Sequence, residues 1–207
     1  MDRLSSRLIG FTVISVLLIV GGCGGTPASR FYVLSPMPSS EDTMRAEMSE
    51  SCVAISVGPV IMPDYIDRPQ IVTRISENRL RLAEFDQWAE PLGDSFPRIL
   101  MENLSTLLCA EPITLYPSRG PISIDYRVEV EVIRLDGRLG EQASLVARWI
   151  ILDERETKVL LTRKSNLNAP VQGGDYEALV SAQSQTIAAL SRDIAEAIKA
   201  ILNQKSK

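Results

Sequence analysis

The chain has 207 residues, 45% of them hydrophobic and 23% charged, with 22 basic and 26 acidic side chains and a net charge of −4. An acidic balance argues against nucleic acid as a partner, since that is bound through a basic patch. The complete absence of histidine removes the commonest general base, metal ligand and pH switch. The length suits one domain around one core.

The first seven residues carry Arg3 and Arg7 against Asp2, and Leu8 to Val20 then runs almost without a polar group. A charged head followed by a short apolar run is the pattern of an export signal. A spanning helix needs about 20 apolar residues, and Gly10, Thr12 and Ser15 interrupt this shorter run. Val20-Gly21-Gly22-Cys23 resembles the bacterial lipobox, in which small residues admit the peptidase and the cysteine thiolate takes the lipid. The reading is a signal over residues 1–22, lipidated Cys23 as first mature residue, and a tether over residues 23–29; the alternative is an uncleaved anchor with Cys23 as an ordinary thiol. Several acyl chains of the palmitate type, each CH₂ contributing about 0.8 kcal/mol, make a stable anchor. Gly24, rather than aspartate, after Cys23 points to the outer membrane, facing the periplasm. Losing residues 1–22 removes two arginines and one aspartate, taking the net charge from −4 to −5.

Phe31-Tyr32-Val33-Leu34 reads as a strand and the polar residues from Pro36 to Ser51 as a loop. Cys52 to Val57 is a nearly continuous apolar run, predicting a central strand closed by the turn chemistry of Gly58-Pro59 and Pro63-Asp64. Gln70–Ile75 and Arg79–Phe85 read as a hairpin with one charged face. From Pro91 the spacing becomes helical: Leu92, Phe96, Ile99, Leu100, Leu104, Leu107 and Leu108 share a stripe, although Pro97 predicts either a bend or a start near Ser95. Ile113–Tyr116 is a short strand. Ile122–Leu135, Gln142–Leu152 and Lys158–Leu167 read as an antiparallel meander, with Asp136-Gly137 and the stretch from Asp153 to Lys158 as its turns. Asp175 caps a long helix whose stripe is Tyr176, Leu179, Val180, Ile187, Leu190, Ile194, Ile198 and Ile201. The expected fold is α/β in the mixed α+β sense: a single domain over residues 30–207, a largely antiparallel mixed sheet and at least two amphipathic helices.

Cys52 and Cys109 make an even pair in an exported chain, where disulfides persist. We expect them to bond, closing a loop worth roughly 4 kcal/mol in the chain-entropy treatment; two buried thiols are the alternative.

Several stretches in order carry a family resemblance: Phe31-Tyr32-Val33-Leu34, Val57-Gly58-Pro59-Val60, the run from Pro63 to Val72, Trp88-Ala89-Glu90-Pro91-Leu92, Asp125-Tyr126-Arg127-Val128, Ala147-Arg148-Trp149 and Tyr176-Glu177-Ala178-Leu179-Val180. Together they resemble the ABC-type transport auxiliary lipoproteins, the family that includes the auxiliary lipoprotein of the paraquat-inducible membrane-integrity system. The resemblance implies a compact α/β fold and a non-catalytic subunit. Its implied partners are an MCE-domain lipid-binding protein and an inner-membrane ABC permease and ATPase, and a multimeric partner of that type would suit a homo-oligomer of this chain. Pro97 departs from the uninterrupted helix the family suggests.

Other chemistry is weaker. Gly93-Asp94-Ser95 resembles the nucleophile block of a lipase-esterase superfamily, but a serine triad needs a histidine; polar residues in or near the first turn of a helix are the plainer reading. Asp64 with Asp67, or Glu84 with Asp86, offer carboxylate pairs of a kind common in acidic loops and strands. The glycines flanking Cys23 lack the lysine and hydroxyl of a phosphate loop, and two separate cysteines without histidine do not make a zinc site. No cofactor is expected. Asp64, Tyr65, Asp67 and Arg68 are the candidate partner contacts, because an aromatic and an arginine in a turn-forming frame suit a binding surface; a loop whose tyrosine covers the core is the alternative. Trp88 reads as a core or helix-entry packing residue, with a ligand platform as the alternative.

Overall fold

The strands are β1 (Arg30–Tyr32), β2 (Val53–Ile61), β3 (Gln70–Ser76), β4 (Arg79–Trp88), β5 (Ala110–Leu115), β6 (Tyr126–Gly137), β7 (Gln142–Asp153) and β8 (Lys158–Pro170), with helices α1 (Leu92–Leu107) and α2 (Tyr176–Lys205). These come from a computed structural model that describes residues 27–38, 52–118, 120, 122–153, 155 and 158–205; the signal, Cys23 and most of the predicted 36–51 loop lie outside the described residues.

Alternation makes the meander. Tyr126, Val128, Val130 and Val132 point inward with Ala143, Leu145, Ala147, Trp149 and Ile151 of β7, all buried, and β6–β7–β8 pair antiparallel throughout. Both helices pack against this five-stranded sheet, ordered β5-β2-β6-β7-β8. The stripe of α1 buries Phe96, Ile99, Leu100 and Leu104; that of α2 buries Leu179, Ile187, Leu190, Ile194 and Ile198. Asp175 accepts the Ala178 N–H at 2.8 Å, the N-cap geometry that starts α2.

The structure corrects or sharpens the sequence reading in five places. The strands form two sheets, since β1-β4-β3 is separate from the five-stranded sheet. Central β2 runs parallel to both β5 and β6, which requires the long crossovers that the β3–β4 hairpin with α1, and the residues after β5, provide. Gly58-Pro59 does not end β2: Gly58, at φ +112°, lies where the pairing register slips between Val57 and Val60, a bulge conformation that glycine accepts readily. Asp136-Gly137 is the end of β6 and not a turn; the chain reverses after it, where the Glu141 N–H reaches the Arg138 carbonyl. A Cβ on Gly137 would lie 2.7 Å from both the Gln142 carbonyl and Leu179 Cδ1, so this glycine is set by close packing against α2. Helix α1 runs through Pro97 from Leu92, with Pro91 at its N-cap, which excludes a start near Ser95.

Candidate functional site

β1 is the first described element and directly follows the residues predicted as a tether. It pairs parallel with β4, Arg30 opposite Asp86 and Tyr32 opposite Trp88. The guanidinium of Arg30 donates to both oxygens of buried Asp86, Nε at 2.7 Å and Nη2 at 2.9 Å, and the Tyr32 hydroxyl donates to the same carboxylate at 2.7 Å. Such a fork is both strong and directional. Burial opposes the charge on Asp86, but the Arg30 and Tyr32 donors outweigh it and hold the carboxyl below its ordinary range. Burial and the bond to Asp86 push the Tyr32 hydroxyl up to about 12.

Both shifts make predictions. The folded pKa of Asp86 is depressed, so its contribution is present above the unfolded value near 3.8 and is lost as pH falls through the folded one. The folded pKa of Tyr32 is raised, so its contribution is complete below pH 10 and is lost as pH rises toward about 12. Tyr32→Phe should therefore flatten the stability profile between these alkaline limits, and cost about 1.5 kcal/mol at neutral pH, the low end for a bond to a charged group because Tyr32 is only half-buried. Urea denaturation across the pH range checks both.

Beyond β1 the chain crosses the two helices. Leu34 is buried, the Ser35 N–H donates to Ser184 Oγ of α2 at 3.1 Å, and the Met37 N–H donates to Asn103 Oδ1 of α1 at 2.8 Å. Fully buried Asn103 donates in turn to Ser191 Oγ at 3.1 Å, which satisfies both ends of its amide. This strap borders an open groove of about 1010 Å³, lined among others by Phe31, Val33, Pro170, Val180, Ala188 and Arg192.

The loop holding the four candidate contact residues is a tight turn, with the Ile66 and Asp67 N–H groups both reaching the Pro63 carbonyl. Asp64 is exposed and Tyr65 half-buried. Asp67 Oδ1 accepts the Gly93 N–H at 3.1 Å, so a side chain from a distant loop satisfies a first-turn donor of α1. Arg68 Nε donates to Gln70 Oε1 at 3.3 Å. Burial, and then the Asp136 charge, push the Tyr65 hydroxyl up, which seats the loop beside a second ion cluster. There Asp136, fully buried, accepts Arg74 Nε at 3.0 Å and Nη2 at 2.5 Å on one oxygen and Arg134 Nε at 2.8 Å on the other. Arg74 also donates to the Glu77 carbonyl at 2.6 Å. Because Arg74 lies on β3 and Asp136 on β6, this cluster bridges the two sheets.

The catalytic candidates are placed elsewhere. Ser95 is 1% exposed and belongs, with Gly93 and Asp94, to the start of α1. Asp86 is committed to Arg30 and Tyr32, while Glu84 faces solvent; Asp67 caps α1. Cys52 and Cys109 meet sulfur to sulfur with Cα atoms 4.7 Å apart, within the usual span for a disulfide. Among the described residues no three of Cys, Asp and Glu gather as a metal cluster, and no helix is long and apolar enough to cross a membrane. Trp88 is buried at the end of β4.

Neither ion cluster is visible in the sequence alone. Strand parity puts Arg30 and Tyr32 on one face, but Asp86 lies 56 and 54 residues away from them. Asp136 looked like a turn residue because it precedes glycine.

A family model described as "ABC-type transport auxiliary lipoprotein component" matches residues 32–195, from Tyr32 in β1 to Ala195 in α2. The chain is similar to the intermembrane transport lipoprotein PqiC of Escherichia coli (strain K12), with 23% identity over 186 residues that cover 90% of this chain and 95% of that protein. In fold it is similar to a crystal structure of a protein from Xanthomonas campestris, with a TM-score of 0.70 and 16% identity over 86% of this chain and 99% of that one. A second crystal structure gives a TM-score of 0.66 and 22% identity over 83% and 99%. With the family's span covering both sheets and most of α2, the chain belongs to the ABC-type transport auxiliary lipoproteins.

Proposed function

We propose that this chain is a lipid-anchored, non-catalytic docking subunit, held by Cys23 in the outer membrane and facing the periplasm. Its partners in this reading are an MCE-domain lipid-binding protein and, through it, an inner-membrane ABC permease and ATPase, the whole serving lipid transport and membrane integrity. The observation that carries the reading is the family match over residues 32–195 in a chain whose lipobox cysteine stands seven residues before Arg30. The 63–69 loop presents Asp64 and the Tyr65 ring to the partner, while Asp67 and Arg68 hold its shape. Purification of the tagged full-length lipoprotein in mild detergent, from cells expressing the MCE-type protein, should retain that protein at stoichiometric level. Recovery of the lipoprotein alone would favour a stand-alone structural role. A lipid-anchored hydrolase is disfavoured by the burial of Ser95; ester hydrolysis abolished by Ser95→Ala would reverse that judgement.

We further propose that Cys52 and Cys109 are bonded in the periplasm, fastening the start of β2 beside β5. Cys52→Ser should cost about 2–4 kcal/mol in urea denaturation and remove the mobility difference between reduced and unreduced protein on a denaturing gel.

A further inference from the structure

Phe31 and Val33 are 63% and 51% exposed, and Pro36 and Pro38, a few residues on, are also exposed. The backbone that carries them is fixed. Tyr32 turns inward to Asp86 and Leu34 is buried, while Phe31 and Val33 on either side of Tyr32 face outward, and the bonds to Asp86, Ser184 and Asn103 pin the segment on three elements. From Phe31 to Pro38 there is no charged residue. Isolated exposed apolar residues are ordinary, whereas a contiguous set marks an interaction surface, and these line one rim of the groove beside α2.

The length of the tether says what meets this surface. Cys23 precedes Arg30 by seven residues, and an extended chain spans at most about 3.6 Å per residue, so the acyl chains hold the start of β1, from which the strap continues, within about 25 Å of the bilayer. We propose that Phe31, Val33, Pro36 and Pro38 form a second, non-covalent membrane contact that rests in the interface of the bilayer anchoring Cys23 and fixes how the domain faces the periplasm. This rests on the lipid-anchor reading. The acyl chains already make the anchor stable, so an uncharged apolar rim beside them adds orientation, not attachment.

The experiment uses the full-length lipoprotein reconstituted into vesicles containing a bromine-labelled phospholipid, which quenches only indoles in contact with lipid. Trp88 and Trp149 are buried and give the background in the unaltered protein. Phe31→Trp adds a reporter on the strap. Val159→Trp adds one at a residue 50% exposed, at the far end of β8 from the Asn168–Pro170 stretch that lines the groove. The added emission of Phe31→Trp should fall at least about twofold and shift to the blue, and that of Val159→Trp should not change; Val33→Trp gives the same readout should Phe31→Trp alter the thermal melt. Vesicle flotation reads the anchor separately. A protein that floats, yet whose Phe31→Trp reporter is quenched no more than Val159→Trp, keeps its anchor and overturns the surface. A reporter shielded only when a partner protein is added, without quenching by lipid, assigns the rim to a protein and overturns the proposal as well. Failure to float overturns both the anchor and the contact that depends on it.

Discussion

Asp136→Ala is expected to destabilise the domain by about 3–5 kcal/mol, the range for removing one member of a buried ion cluster. The carboxylate is fully buried and takes Arg74 on one oxygen and Arg134 on the other. Its loss leaves Arg74, whose side chain is only 15% exposed, without a counter-charge between the sheets, whereas Arg134, at 37%, can turn to water. Most of the cost should therefore arise at Arg74. Replacing Asp136 and Arg74 together by leucine and methionine should recover most of the loss, since an apolar substitute for a buried pair is often neutral or better. Urea denaturation of the single and double variants measures this, and a loss below about 1 kcal/mol for Asp136→Ala would show that the cluster does not hold the sheets together.

The second large effect is on location. Cys23→Ala, combined with an ordinary cleavable export signal in place of residues 1–22, should move the protein completely from the membrane fraction to the soluble periplasm. Anchoring energy lies in the buried CH₂ groups of several chains, and an apolar rim alone does not replace them. Thermal melting of the released domain should match that of the anchored protein, because every described element lies beyond the tether. Complementation of a deletion strain should fail. Full complementation by the soluble form would mean that position at the membrane contributes little to function.

These effects were unequally visible in the sequence. The meander and α2 were legible because their cause is local: alternation from Tyr126 to Val132 and the stripe from Leu179 to Ile198 repeat at the periods of strand and helix. The boundaries shifted where a distant partner extends the ladder, as at Asn168–Pro170, which pair with Gln142–Ser144. The division into two sheets was not legible, since nothing within Arg30–Tyr32 or Arg79–Trp88 says that these strands pair in parallel. The same holds at the site level. The tyrosine and arginine of the 63–69 loop drew attention by type, but the work of Asp67 at the start of α1, 26 residues further along, depends on how the chain folds back. Pro97 predicted a disturbance that the helix absorbs: proline here lacks one donor, toward Gly93, and the stripe from Phe96 to Leu104 remains buried on both sides of it.

The parallel pairing of β1 with β4 also bears on mechanical load. In the proposed role the domain is held from its N-terminal side, and tension drawn along the axis of β1 meets the ladder from Arg30 to Tyr32 sideways. The ladder bonds and the Arg30–Asp86 fork then share the force at once and do not peel apart in sequence, and the bonds at Ser35 and Met37 stand behind them. The joint between tether and domain is built to resist shear.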